Sequence, residues 1–91
     1  MRKIEQQMNR AIRDRNNWAK DNTQVVIGFQ DTAQVFLHGH HIANVLNDGT
    51  VEPNENTFRD WPTATTRSRL RALGVDASIK NFEACIGGVA L

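Results

Sequence analysis

At 91 residues, with 40% hydrophobic and 23% charged residues, the chain can build one modest core and no second layer to wall off a deep pocket. That composition is too apolar for a disordered chain, and no apolar run approaches the ~18 residues of a membrane span. The formal net charge of +1 hides a sorted pattern: residues 1–20 carry net +4, residues 21–62 net −5 and residues 63–91 net +2. Sorting of this kind shapes partner choice and association rate, not the fold. The polar start Met1-Arg2-Lys3-Ile4-Glu5 shows no signal peptide, and the lone Cys85 fits a reducing compartment, so the cytoplasm is the expected location.

Residues 2–19 read as an amphipathic helix, with Ile4, Met8, Ala11, Ile12 and then Trp18 or Ala19 on one face. Asp21-Asn22 would end it. From Thr23 the period changes to two: Val25, Ile27 and Phe29 alternate with Val26 and Gly28. Gln30 to Ala33 reads as a turn and Gln34 to His38 as the next strand. Gly39-His40 suits a two-residue hairpin loop, and His41 to Leu46 returns. Asn47-Asp48-Gly49 is the strongest turn signal, followed by a short strand Thr50-Val51-Glu52 that Pro53 stops. Pro53 to Asp60 reads as a loop. Thr63 is an N-cap for a helix over 64–73, and Gly74 sits where a C-cap glycine belongs. Gly87-Gly88 reads as a hairpin turn between a strand ending near Ile86 and Val89-Ala90-Leu91.

Three constellations are candidates for chemistry. If the hairpin turns at residues 39 and 40, His38 and His41 are cross-strand neighbours with Cβ atoms about 4.5–5.5 Å apart. Such a pair could bind a transition metal with His40 or a carboxylate as a third ligand; the plainer reading is a surface histidine pair, and no metal or cofactor is expected. Arg67, Arg69 and Arg71, with Arg10 and Arg13 of the first helix, could contact phosphates; the plainer reading is a solvated helix face. Trp61, before Pro62, is either a binding hot spot or, the favoured reading, a plug at the core edge. No set of residues supplies nucleophile, base and oxyanion donor together, so no enzyme is expected.

Val35 to Ala43 and Trp61 to Leu73 carry a resemblance. With Asn22-Thr23-Gln24-Val25, they resemble a family of small bacteriophage proteins from short-tailed phages of enteric bacteria. That family shows a Leu-His-Gly-x-x-Ile-Ala hairpin and a Trp-x-Thr-x-Thr-Thr-x-x-Arg-Leu-x-Ala-Leu helix entry. The chain departs at Asp60, where the family often has Gly, and at Arg71, where it often has Asn. The resemblance implies a phage accessory factor and carries no activity.

The expectation is therefore a single α+β domain over residues 1–91: N-terminal helix, antiparallel meander of three or four strands, second helix, C-terminal hairpin. The helices would cover the sheet face carrying Val35, Leu37, Ile42 and Leu46. The opposite face would carry Phe36, Val45, His38 and His41 as a partner or homodimer surface. The expected function is stoichiometric binding to a host protein through Phe36, His38, His41, Trp61 and the arginines. The alternative is nucleic-acid binding through the basic helices 2–19 and 64–73. No membrane partner is expected.

Overall fold

The computed structural model describes all of residues 1–91 and bears out the α+β architecture. Helix α1 (Lys3–Asp14) buries Met8, Ala11 and Ile12 on its apolar face. Its first turn is closed by Glu5, whose Oε1 accepts the Arg2 backbone N–H at 3.1 Å. The helix stops five residues before the expected 2–19 boundary. Arg15 takes a left-handed conformation (φ 54°, ψ 48°), and the Asn16 N–H closes on the Ala11 carbonyl at 2.9 Å. Left-handed backbone costs a non-glycine residue roughly 1–2 kcal/mol. Here the guanidinium offsets that cost, donating to the Val45 carbonyl at 3.3 Å and the Leu46 carbonyl at 2.9 Å. Trp18 and Ala19 thus leave the helix for strand β1 (Trp18–Lys20), and Asp21-Asn22 is a hairpin turn rather than a helix end.

Strands β2 (Thr23–Ile27), β3 (Ala33–Leu37), β4 (His40–Val45) and β5 (Val51–Pro53) complete a five-stranded antiparallel meander in sequence order. The β3–β4 turn is His38-Gly39, both at positive φ (52° and 78°), so the hairpin turns one residue earlier than expected. Leu37 pairs with His40 and Phe36 with His41, while Val35 pairs with Ala43. Ile42 is the extra residue of a β-bulge. An inserted residue reverses the alternation beyond it. Ile42 and Ala43 are therefore both buried, and Val45 rather than Leu46 faces the core. Pro53 does not stop β5 but ends it on the sheet edge, where no N–H is needed.

Residues expected to form a loop contain helix α2 (Glu55–Asp60), capped by Asn54 Oδ1 accepting the Thr57 N–H at 3.2 Å. Helix α3 (Ala64–Ala72) starts at the expected cap, Thr63, which accepts the Thr66 N–H at 3.1 Å. It ends as expected at Gly74 (φ 98°), with the Val75 N–H closing on Leu70. The C-terminal hairpin is extended to a three-stranded sheet: β6 (Ala77–Lys80), β7 (Glu83–Ile86) and β8 (Val89–Ala90), the last turn being Gly87-Gly88. One core joins Met8, Ala11 and Ile12 of α1, the inward residues of β2–β4, Phe58 of α2, Leu70 of α3, and Ala77 and Ala84 of the small sheet. The alternate residues of the large sheet, among them Gln24, Gln34, Phe36, His41 and Asn44, all stay at least partly exposed.

One buried ion pair crosses this core. Arg69 Nη1 donates to Glu5 Oε2 at 2.8 Å, and both side chains are 3% exposed. All three guanidinium nitrogens are used: Nε donates to Thr23 Oγ1 at 3.0 Å and Nη2 reaches Asn22 Oδ1 at 3.3 Å. Ser68 Oγ adds a 2.6 Å bond to Glu5 Oε2. Burial pushes the Glu5 carboxyl up, but the hydrogen bonds from Ser68, Arg69 and the Arg2 backbone, with the Arg69 charge, outweigh it and hold it below its ordinary value of 4.5.

Glu5→Gln leaves a buried guanidinium without its counter-charge, a loss of about 3–5 kcal/mol at pH 7. Because the folded-state carboxyl titrates low, the native contribution is full above pH 4.5 and is lost as pH falls through the lowered value. Urea midpoints of wild type and variant should differ widely at pH 7 and converge in acid; a gap independent of pH contradicts the assignment. At Arg15, Ala loses the clamp and keeps the backbone strain, whereas Gly loses only the clamp. The stability order should be Arg, then Gly, then Ala, with Gly about 1 kcal/mol above Ala. An Arg15→Gly protein more stable than wild type would show the clamp to be idle.

Candidate functional site

The bulged β3–β4 hairpin and the α2–α3 corner meet at one end of the large sheet. Between them lies a cleft of about 180 Å³. Leu37 and His38 line it from the end of β3 and the turn, and His40 and Ile42 from β4. Thr57 contributes from α2, Trp61 from the corner, and Thr63 and Thr66 from the start of α3. The two stretches that carried the sequence resemblance therefore build opposite walls of one feature.

Trp61 does not plug the core edge. It is 53% exposed and lies on His40, with ring centroids 4.9 Å apart and planes 25° from parallel. Stacking of this kind fixes the indole and leaves much of its surface in water. Below the rings, Thr63 and Thr66 share a 2.8 Å hydroxyl bond that holds the α3 wall. The cleft lining contains no carboxylate and no lysine or arginine.

The histidines are divided rather than clustered. His38 occupies the turn and pairs through its backbone N–H to the Asn22 carbonyl at 2.8 Å. The one-residue change in turn position means that His41 opposes Phe36, not His38, and lies on the opposite sheet face from the cleft. Its ring sits 5.5 Å from that of Phe36. Both ring nitrogens are engaged: Nε2 with Asn44 Oδ1 at 2.7 Å and Nδ1 with Asn54 Nδ2 at 3.1 Å. The cross-strand metal pair considered from the sequence is therefore not formed, and no three His, Cys, Asp or Glu side chains come together in the geometry a metal needs.

The arginine row is divided as well. Arg69 is in the core, out of reach of a partner in this fold. Arg67 is half-buried and Arg71 exposed, with no carboxylate within 4.0 Å of either. Arg10 and Arg13 are exposed on α1 and share Asp14 at 4.0 and 3.5 Å. A wider groove of about 280 Å³ beside the end of α1 includes Arg10 and Trp18, but its walls are mainly amide and charged side chains. Thr57 and Thr63 were not singled out as partner-contacting residues from the sequence, and His40 was considered there only as a third metal ligand. Thr57 lay in the stretch read as a loop, and His40 was assigned to the turn.

Phe29 and Phe82 are also exposed, at 85% and 93%, each alone in a turn. No helix is long and apolar enough to cross a membrane.

No curated protein and no solved structure matches the chain. Residues 1–89 match the family described as Kyanoviridae Gp96 protein. The phage origin implied by the motifs is thus supported, but the match points to phages of cyanobacteria rather than of enteric bacteria. Spanning all but the last two residues, the match places this chain in the Kyanoviridae Gp96 family of phage proteins.

Proposed function

We propose that the protein acts by stoichiometric, non-catalytic binding to a protein of the infected host cell, with Trp61 as the anchor over the cleft. The observation that carries this reading is the half-exposed indole held on His40. A large aromatic side chain left in water is a lost opportunity for burial in a chain this small. A rigid one, already stacked, loses little conformational freedom when a partner covers it. Tryptophan is enriched among the few residues that dominate binding energy. The cleft volume is that of a subsite for a single side chain rather than of a small-molecule pocket, which is typically about 300 Å³ or more. The partner's contribution is then one apolar or aromatic side chain packed against Trp61, Leu37 and Ile42, with Thr57 and Thr63 offering hydroxyls at the rim.

The nucleic-acid alternative is left with Arg67, Arg71, Arg10 and Arg13, because Arg69 is spent on Glu5. No lysine or arginine lines the cleft, and α2 beside it carries Glu55 and an Asp60 that pairs with Arg59 at 3.3 Å.

The test is an affinity pull-down from nuclease-treated cyanobacterial host lysate with wild type and Trp61→Ala. The expected result is one host protein captured by wild type, with affinity reduced about 30-fold or more in the variant. Equal capture by the variant, no captured protein, or capture that depends on nucleic acid contradicts the reading.

A further inference from the structure

His41 sits outside the cleft, yet its hydrogen bonds run to the helix that forms one cleft wall. The Thr57 backbone N–H can only donate, so the Asn54 atom it meets at 3.2 Å is the amide oxygen. That leaves Asn54 Nδ2, a donor, facing His41 Nδ1 at 3.1 Å. Nδ1 must then offer its lone pair, and the ring proton must be on Nε2, where Asn44 Oδ1 accepts it at 2.7 Å. A single neutral tautomer of His41 satisfies every group in the row. Asn54 is held a second way, by its backbone N–H on the Ile42 carbonyl at 2.7 Å, so its side chain has little freedom to retreat.

We propose that His41 is a protonation-sensitive latch on the cleft. Neutral and protonated at Nε2, it keeps the Asn54 amide turned so that its oxygen caps α2. A proton taken from solvent onto Nδ1 sets two donors face to face. The amide must then either turn, giving its oxygen to the imidazolium and abandoning Thr57, or move away. Both outcomes uncap α2. That helix has only six residues, so the cap is a large part of what holds it. It carries Thr57 of the cleft lining, and its last turn is closed by the Trp61 N–H on the Thr57 carbonyl at 2.9 Å. Acid therefore loosens the wall that presents the indole.

The surroundings of the ring are consistent with a switch. From β3, Phe36 faces it, with ring centroids 5.5 Å apart. Glu52 of β5 pairs with Asn44, and Glu55 opens α2 directly after Asn54. Helix α2 also carries Arg59 and Asp60, which pair with each other at 3.3 Å; the sign of Glu52 and Glu55 suits an imidazolium. Neither lies within 4.0 Å of the ring, so neither replaces the Asn54 contact. His40 is the preceding residue on β4 but faces the cleft on the other side of the sheet.

The inference rests on the cleft being the working surface, but its test is made on the free protein and so fails or succeeds independently of any partner. Ring-nitrogen NMR of His41 and backbone amide signals of Thr57, Phe58 and Trp61 are followed from pH 8 to pH 5. At pH 8 the ring should be the Nε2–H tautomer. As it takes the second proton, the three amides should shift with the same midpoint, and exchange protection at Thr57, corrected for intrinsic rate, should fall about five- to tenfold. His41→Gln offers one acceptor and one donor without titrating and should abolish these changes, whereas His38→Gln and His40→Gln should leave them in place. Asn54→Asp supplies a second oxygen that accepts from the imidazolium while the first still caps Thr57, so in that variant α2 should stay protected in acid. An Nδ1–H tautomer at pH 8, a ring that takes no second proton above pH 5, or α2 amides that ignore the ring's titration would each overturn the proposal.

Discussion

The bond between Arg69 and Glu5 is the constraint on which the rest of this fold is arranged. It joins α1 to α3 through the centre of a core with few large side chains, and it collects Thr23 and Asn22 from the first hairpin on the way. A buried pair of this kind is no stronger than well-packed apolar residues would be, since desolvation cancels much of the attraction. Its value is directional. Three guanidinium nitrogens with three separate acceptors permit one rotation of α3 about its axis and one depth against the sheet. No buried side-chain nitrogen or oxygen is left without a partner. With α3 so keyed, Thr63 and Thr66 face the β3–β4 turn and Trp61 falls on His40. The cleft is thus a consequence of a polar joint further along the same helix.

Much of the architecture was legible from periodicity and turn chemistry. The change from a helical to an alternating period at Thr23, the Asn47-Asp48-Gly49 turn, the Thr63 cap and the Gly74 stop are local signals, and each specifies its own geometry. The differences have equally local causes. Asn16-Asn17 interrupts α1 because Arg15 can take left-handed backbone while its guanidinium holds the end of β4, a contact across 30 residues that no local window contains. Asn54-Glu55 is a cap followed by an acidic first turn, but six residues are too few to show a helical period. The bulge at Ile42 reversed the faces of everything after it on β4, so Val45 and Leu46 exchanged roles. A sequence in which Ile42, Ala43, Val45 and Leu46 are all apolar does not mark where the alternation slips.

The same slip accounts for the histidines. Moving the hairpin turn by one residue separates His41 from His38 and sends the two to different tasks. His38 and His40 border the cleft, and His41 braces α2 from the outer face. For the arginines, identity was visible and environment was not. Arg67, Arg69 and Arg71 look alike in sequence, yet Arg69 lies beside Leu70 on the inward side of α3, and Glu5 lies one turn from Met8 on the inward side of α1. Two opposite charges on two apolar faces are a signal for a buried pair only once the helices are known to touch. Trp61 was assigned to the wrong environment, because whether an indole is buried depends on the depth of a corner that local sequence does not set.

Structure and proposed action then connect in a plain sequence. A polar joint fixes α3, the fixed helix and a bulged hairpin form a small cleft, and an aromatic stack at its mouth is held ready for a partner. The joint is the element to measure. Labelling the glutamate carboxyl carbons and following Glu5 through an acid titration reads its charge state directly. The arrangement predicts that this carboxyl remains ionised below pH 4.5 and takes its proton only as the fold is lost. A Glu5 carboxyl that titrates at or above 4.5 in a protein that stays folded would mean that the pair is not formed and that α3 is oriented by something else.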